Sequence, residues 1–146
     1  MNLSFKMRPT LISGNKFTDE RGTVRFVNDF DLSPVVRMYT IQPAAKLIRA
    51  WQGHQQEQKW FYAAAGQFEV KIAEVVDWEP LKLGKTQAYI LDAAQPSVLH
   101  IPTGHLNGLR ALSPHSNLIV FSDMTLAQSE ADDMRFSLDQ LPWDRF

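Results

Sequence analysis

Short runs in which apolar and polar residues alternate dominate the chain. Residues 23–27, 35–41 and 68–72 alternate in this way, which is the pattern of a strand with one face on a core. Other runs are mostly apolar or aromatic and end near glycine, proline or other turn residues; they cover residues 46–51, 59–64, 86–91, 98–102 and 118–121. The pattern predicts eight or nine closely spaced strands, as in an all-β sandwich, barrel or jelly roll.

A helix is indicated at one place, over residues 125–136. Ser129 followed by Asp132 resembles a capping box with Asp in place of the usual Glu or Gln. The tail that follows contains Leu141, Pro142 and Trp143, and we expect it to pack back on the strands. The sequence therefore predicts an all-β fold with one short C-terminal helix.

Length and composition bound the class of protein. A chain of 146 residues without an internal linker predicts one domain, residues 1–146. Hydrophobic residues make up 45% and charged residues 21%, which excludes a disordered chain and a coiled coil. The net charge of −1 gives no strong field for nucleic acid or an anionic membrane. The absence of cysteine excludes disulfides, thiolate metal sites and a cysteine nucleophile.

Targeting signals are not evident in the sequence. Residues 1–9 contain Lys6 and Arg8 but no apolar run behind a charged start. No stretch of eighteen apolar residues is present. We therefore expect a cytoplasmic protein.

Four histidines are the first candidates for chemistry, although a lone histidine is more often structural or solvated. His115 lies in a Ser-Pro-His-Ser loop and is expected to be solvated. His100 lies in an apolar run, so its side chain is expected to face the core or the interior of a barrel. His54 and His105 each follow a glycine-containing turn beside an apolar strand, where side chains of a barrel converge on a ligand.

Two segments carry a recognisable pattern of turns and polar residues, and its positions fall on Gln52, His54, Lys59 and Gly66, then on Pro102, Gly104 and Asn107. They resemble the two motifs of the cupin superfamily, a small jelly-roll barrel, in which His-x-His precedes Glu and Gly, and Pro-x-Gly-x-x-His follows. The turn residues match, but three of the four metal-ligand positions carry Gln, Lys and Asn. Divalent transition metals prefer imidazole and carboxylate ligands, and an ammonium repels them. We therefore expect a cupin barrel with neither a catalytic metal nor another cofactor.

Scattered motifs over residues 15–125 narrow the resemblance, namely Phe17-Thr18-Asp19-Glu20-Arg21-Gly22, Arg49, Gln58-Lys59-Trp60-Phe61 and Ile101-Pro102-Thr103-Gly104. They are similar to those of the metal-free, RmlC-like cupins that act on nucleotide sugars. These are the dTDP-4-dehydrorhamnose 3,5-epimerases and the dTDP-sugar 3,4-ketoisomerases. The ketoisomerases also share a tyrosine on an early strand, which Tyr39 matches.

The resemblance implies proton transfer next to a ketone. A base removes the proton from the carbon beside the C4 carbonyl, and an acid returns a proton elsewhere. On this chain the resemblance makes His54 the base and Tyr39 the acid, with His105 in reserve for either role. Lys59 would stabilise the oxyanion that develops on the ketone oxygen.

The same resemblance implies a set of substrate-binding residues: Arg21, Arg49, Gln52, Trp51 and Asn107. The arginine fork pairs with diphosphate oxygens, and an aromatic ring can stack on a base or a sugar. Gln52 stands where the epimerases carry their base, and glutamine takes no proton at pH 7. For Arg49 and Lys59 the alternative role is an ion pair with Glu57 or Glu69.

We therefore expect an isomerase or epimerase of a dTDP-linked 4-keto-6-deoxyhexose. A barrel that binds a sugar nucleotide without chemistry is the alternative, and the missing first histidine favours it. A metal-dependent cupin, such as a dioxygenase or a phosphomannose-type isomerase, is a third hypothesis.

The expected partners are a nucleotide sugar and a second copy of the chain, without nucleic acid or membrane. An aromatic-rich barrel face is a natural dimer surface. In the family that the chain resembles, a neighbouring subunit contributes to the site, and Arg21 is the residue expected to reach across.

Overall fold

Strands make up most of the computed structural model, which describes residues 7–146. Residues 1–6, which belong to the N-terminal segment expected to carry no targeting signal, lie outside the described residues. The strands are β1 (Thr10–Ser13), β2 (Asn15–Asp19), β3 (Gly22–Phe26), β4 (Arg37–Ile41), β5 (Ile48–His54), β6 (Lys59–Ala65), β7 (Gln67–Trp78), β8 (Leu81–Asp92), β9 (Ser97–Ile101), β10 (His105–Ala111), β11 (Asn117–Ser122) and β12 (Met134–Arg135). The expectation of an all-β fold is confirmed.

Two antiparallel five-stranded sheets face each other. The first sheet has the order β1-β9-β6-β11-β4, and the second has the order β12-β5-β10-β7-β8. Strands β2 and β3 form a separate hairpin. The main core lies between the two sheets and consists of Phe61, Ala63, Phe68, Val70, Ile72, Leu91, Leu99, Ile101, Leu109, Leu118 and Val120.

Strand β10 lies at the centre of the second sheet, although the sequence pattern did not predict a strand there. Its first five residues are all buried, because one face of the strand lies on the main core and the other lies under the C-terminal tail. A strand covered on both faces has no polar side to alternate with its apolar side. The glycine turn that precedes it was predicted, and Gly104 adopts a left-handed φ of 76° while its N–H donates to the carbonyl of His54.

A second core covers the outer face of the second sheet, as predicted for the C-terminal tail. Trp143 stacks on Trp51 with ring centres 5.3 Å apart, and Trp51 Nε1 donates to the carbonyl of Leu141 over 2.7 Å. Lys71 donates from the sheet to the carbonyl of Trp143 over 2.9 Å. The tail, which includes a 3₁₀ turn at Trp143–Arg145, is thus a layer of the fold.

The predicted helix over residues 125–136 is too long. The helix α1 spans Leu126–Ala131, and its capping box joins Thr125 and Gln128 rather than Ser129 and Asp132. Beyond it the chain forms β12, and the backbone of Phe136 exchanges two hydrogen bonds with that of Trp51. Pairing with β5 therefore replaces the second half of the predicted helix. Within residues 7–146 no helix has the length and apolar character needed to cross a membrane.

The hairpin of β2 and β3 projects apolar side chains into solvent. Phe17 and Val24 lie opposite each other in its register and are 57% and 62% exposed. An isolated two-stranded hairpin is only marginally stable in water, so this exposure bears on assembly below.

We predict that Trp143→Ala lowers the free energy of unfolding by about 3–5 kcal/mol, because it removes a buried ring from the second core. Urea denaturation followed by circular dichroism measures the change. Leu47→Ala, at an exposed loop position, is the control and is expected to change stability by less than about 0.5 kcal/mol. Equal stability of the two variants would contradict a structural role for the tail.

Candidate active site

A cavity of about 1150 Å³ opens between the two sheets, at the end where β4, β5, β6 and β10 meet. Six residues predicted from the sequence line it: Tyr39, Arg49, Trp51, Gln52, Lys59 and Asn107. The segment from α1 to β12 forms one wall and contributes Glu130, Asp133 and Arg135. The cavity is therefore rich in charge of both signs.

Alternation along β4 places a further cation in the cavity. Arg37, Tyr39 and Ile41 point inward, since side chains two apart share a face of a strand. The Arg37 guanidinium lies over the Tyr39 ring, 5.0 Å from its centre. Sequence reasoning missed Arg37, although its spacing from Tyr39 was the signal that could have found it.

Lys59 begins β6 with its side chain inside the cavity and is only 3% exposed. Its Nζ donates to Gln52 Oε1 over 2.9 Å, and Gln52 Nε2 donates to Asp133 Oδ1 over 3.1 Å. Burial lowers the pKa of Lys59 to about 8. The alternative of an ion pair with Glu57 or Glu69 is not what the structure contains, because those carboxylates pair with Arg37 and Arg110.

Tyr39 carries a hydroxyl that stays protonated near neutral pH. Burial raises the pKa of Tyr39 to about 12, since a phenolate would be poorly solvated there. Its ring also lies 5.8 Å from Lys59 Nζ. Tyr39 and Lys59 thus present a proton donor and an amine in one cavity.

His54 ends β5 and is oriented by its surroundings. Its Nδ1 lies 2.9 Å from the backbone carbonyl of Asp132, and a carbonyl only accepts, so Nδ1 carries the proton. Nε2 is then a lone pair, and it is buried without a hydrogen-bond partner among the described residues. Burial, with the nearby Lys59 charge, lowers the pKa of His54, so the ring is neutral at pH 7.

The position of His54 differs from the expectation that it would line the cavity. The residue is 4% exposed and lies behind the lining, on the same face of β5 as Gln52. His54 is not among the residues that line the cavity, and its Nε2 is buried.

Glu57 is a fully buried carboxylate beside His54. Its two oxygens accept 2.6 Å hydrogen bonds from Ser122 and Ser129, and Arg37 donates to one of them over 3.3 Å. His54 Nδ1 lies 3.4 Å from the other oxygen. Glu57 therefore joins the cavity wall, β4 and the histidine, a role that nothing in the sequence pattern indicated.

Asp132 fixes the turn that carries Glu57. Its carboxylate accepts the backbone N–H groups of Gln55, Gln56 and Glu57 over 2.9, 3.0 and 2.8 Å. These three bonds attach the end of α1 to the loop after β5. The cavity wall formed by the segment from α1 to β12 is thereby fixed to the loop that follows β5.

The donor set does not fit a divalent metal. The ligand atoms of His54, Glu57 and Asp132 lie within 4.8 Å of one another. However, Asp132 is occupied by three backbone N–H groups, Glu57 by two hydroxyls and a guanidinium, and His54 Nδ1 carries a proton. At the cupin ligand positions, the Lys59 ammonium would repel a cation.

Three predicted residues or positions lie away from the cavity. His105 is buried at a second, smaller cavity of about 360 Å³, with Nδ1 near the carbonyls of Pro102 and Thr103. Arg21 lies in the β2–β3 turn, paired with Asp19 over 2.7 Å. His100 faces neither the core nor the barrel interior, because it stacks on Trp60 on the outer face of the first sheet.

Trp51 and Asn107 touch the cavity but are held by the protein. Trp51 borders the cavity, while its ring stacks on Trp143 and its N–H is bonded to the tail. Asn107 Nδ2 donates to the backbone carbonyl of Gln52 over 3.3 Å. Both side chains form part of the cavity surface, and each uses a side-chain N–H in a hydrogen bond within the protein.

The sequence matches no known family model, and no curated protein matches it. Solved structures do match. A dTDP sugar isomerase from Desulfovibrio desulfuricans has a TM-score of 0.76 at 18% identity, over 94% of this chain and 88% of that one. A variant of the 3,4-ketoisomerase QdtA from Thermoanaerobacterium thermosaccharolyticum, in complex with TDP-4-keto-6-deoxyglucose, has a TM-score of 0.68 at 15% identity, over 90% of each chain.

An RmlC epimerase from Mycobacterium tuberculosis also matches, with a TM-score of 0.73 at 14% identity, over 88% of this chain and 68% of that one. At these identities the likeness establishes the fold. The chain has the RmlC-like cupin jelly-roll fold that the motifs predicted.

We predict that Glu57→Gln lowers the pKa of His54, because the substitution removes a negative charge 3.4 Å from the ring and keeps a side chain able to bond both serines. Titration of the imidazole resonances by NMR measures this shift. Ser129→Ala is the control, since it removes one hydrogen bond to Glu57 and leaves the charge. An unchanged His54 titration in Glu57→Gln would show that the carboxylate does not act on the ring.

Proposed function

We propose that the protein is a metal-independent isomerase or epimerase that acts on a dTDP-linked 4-keto-6-deoxyhexose. One observation carries this proposal: His54 presents an oriented, unpartnered Nε2 lone pair next to a cavity that contains a buried amine. The solved structures with the same fold include proteins named as dTDP-sugar isomerases and epimerases, which supports the same class of substrate.

The chemistry assigns one task to each group. His54 Nε2 takes the proton from the carbon next to the ketone, because a neutral imidazole is a base suited to pH 7. Lys59 holds the ketone oxygen as negative charge develops on it. Tyr39, whose hydroxyl is protonated near neutral pH, donates that proton to the enolate. It then regains a proton from solvent, while His54 releases the one that it took. Because His54 lies behind the cavity lining, lining side chains move aside or one water relays the proton.

Cations at the cavity suit the diphosphate of a nucleotide sugar. Arg37, Arg49 and Arg135 line it, and a guanidinium pairs with two phosphate oxygens at once. Arg49 is exposed and, among the described residues, is free of the ion pairs that hold Arg37 and Arg135. We therefore assign first contact with the diphosphate to Arg49.

A second candidate function is binding of a sugar nucleotide without turnover. The burial of His54 behind the cavity lining favours it, since a base that cannot reach the substrate does no chemistry. Gln52 in place of the first cupin histidine points the same way. The two functions share the ligand and differ in whether a carbon-bound proton is exchanged.

We also propose a homodimer in which the β2–β3 hairpin of one chain covers the cavity of the other. The hairpin exposes Phe17 and Val24, and its turn carries Arg21. Strand β4 is an edge of the first sheet beside the cavity and exposes Met38. Burial of these apolar side chains against a second copy would stabilise both elements.

We predict that wild-type protein exchanges a carbon-bound proton of dTDP-4-keto-6-deoxyglucose for deuterium in D₂O, and that His54→Asn abolishes the exchange by about 10³-fold or more while it still binds dTDP. Proton NMR of the sugar follows the exchange. Its pH profile is expected to rise through a pKa below the usual histidine value, because the base is active only when neutral.

Gln58→Asn is the matched control, because Gln58 bonds His100 on the outer face of the first sheet. Exchange that persists in His54→Asn would remove His54 from the mechanism. Binding of dTDP without exchange in the wild type would favour the non-catalytic function.

We predict that Arg21→Ala and His54→Asn, each inactive alone, regain about a quarter of wild-type activity when the two chains are unfolded and refolded together. Half of the resulting dimers contain both chains, and one of their two sites receives an intact Arg21 and an intact His54. Light scattering gives the mass and an exchange assay gives the activity. A monomeric mass, or a mixture as inactive as its parts, would contradict a shared site.

A further inference from the structure

Two lysines within residues 7–146 are buried, and their amines are held in different ways. Lys71 Nζ donates to the carbonyl of Trp143 over 2.9 Å and to a backbone oxygen of Phe146 over 3.3 Å, and it lies 4.6 Å from the centre of the Trp143 ring. Lys59 Nζ has one hydrogen bond among the described residues, to Gln52 Oε1. Lys71 is saturated, whereas Lys59 keeps bonding capacity in the cavity.

We propose that Lys59 Nζ bonds covalently to the carbonyl carbon of the ligand and holds it as an iminium. The inference rests on the proposed function only in that the cavity receives a carbonyl compound. It keeps His54 as the base and replaces the contact between Lys59 and the ketone oxygen, described above, by a covalent C–N bond.

The balance of the step is simple. The neutral amine attacks the carbonyl carbon, the C–N bond forms, and the carbonyl π pair moves to oxygen, which takes a proton. Loss of water then gives the iminium, so that one amine, one ketone and one proton yield one iminium and one water. A proton lost from the neighbouring carbon leaves an enamine; reprotonation and hydrolysis restore the amine and the ketone. No oxidant, reductant or metal is needed.

The surroundings of Lys59 supply what this step requires. Burial lowers its pKa to about 8, so a nucleophilic neutral amine exists near physiological pH, unlike that of an exposed lysine near 10.4. Gln52 is itself fixed by Asp133 and accepts one N–H, which leaves the nitrogen lone pair for a ligand. Tyr39 stays protonated and its ring faces the amine.

Four neighbouring charged residues shift the pKa of Lys59 and so change the fraction of neutral amine. Arg37 on β4 and Arg135 on β12 lower the pKa of Lys59, while Glu57 after β5 and Asp133 before β12 raise it. His54 on β5 is neutral near pH 7 and adds no charge there. The cations that suit a diphosphate therefore also favour the nucleophilic form of the amine.

Reductive trapping tests the inference without the nucleotide sugar. The full chain is incubated at pH 8 with hydroxyacetone, a small hydroxyketone, and sodium cyanoborohydride, which reduces an iminium to a stable secondary amine. Peptide mass spectrometry then locates the adduct. We expect Lys59 to be labelled about tenfold faster than Lys71 or any exposed lysine, and labelling to fall below pH 7 as the amine is protonated.

Lys59→Arg keeps the cation and removes the nucleophile, so it is expected to lose this adduct alone; unchanged protection of Lys71 reports that the fold is intact. Labelling of Lys59 no faster than that of exposed lysines in the wild type would overturn the inference, whatever the variant does. Deuterium exchange into the dTDP-sugar without an adduct at Lys59 would overturn it and leave the proposed function in place. An adduct without exchange would support it and remove the proposed substrate.

Discussion

The buried carboxylate of Glu57 is the interaction on which the cavity depends. An ionised group without water or partners is costly by several kcal/mol, so it persists only where donors surround it. Ser122 on β11 and Ser129 on α1 each donate over 2.6 Å, and Arg37 on β4 adds a charged donor. These donors come from three different elements, and the anion therefore fixes their relative positions. His54 lies against the same carboxylate, so its orientation follows from that assembly.

Polar contacts at two places, rather than an apolar face, attach the segment after β11 to strand β5 and the loop that follows it. Asp132 binds three consecutive backbone N–H groups after β5, and the backbone of Phe136 pairs with that of Trp51. The C-terminal tail then covers the opposite face of the second sheet through Trp143. One stretch of chain thus closes the cavity and seals the outer core, which couples the shape of the site to the stability of the fold.

Sequence patterns predicted what local periodicity can encode. Alternation revealed the strands that have one solvated face, and the turn at Gly104 was recognised from its motif. Strand β10 was missed because both of its faces are buried, and the hairpin strand β2 was missed because Phe17 is its one apolar residue and no alternation results. The helix was overextended because its second half pairs with β5, a contact that no local pattern contains. Motif positions identified Gln52, Lys59 and Asn107 at the cavity, whereas the roles of Glu57 and Asp132 arise only from long-range packing.

The polar groups that stand at the cupin ligand positions have a physical logic of their own. A metal site needs anionic or neutral ligand atoms with free lone pairs. Here Gln52 Oε1 already accepts a hydrogen bond from Lys59, and Gln52 Nε2 donates one to Asp133. The result is a buried amine whose charge is only weakly favoured, next to guanidinium groups that disfavour it further. A ligand with both negative charge and a carbonyl group matches these two features, since its phosphates neutralise the guanidinium groups and its carbonyl contacts the amine. The ligand proposed above, a nucleotide-linked ketosugar, carries both groups, whereas a neutral sugar lacks the charge and inorganic phosphate lacks the carbonyl.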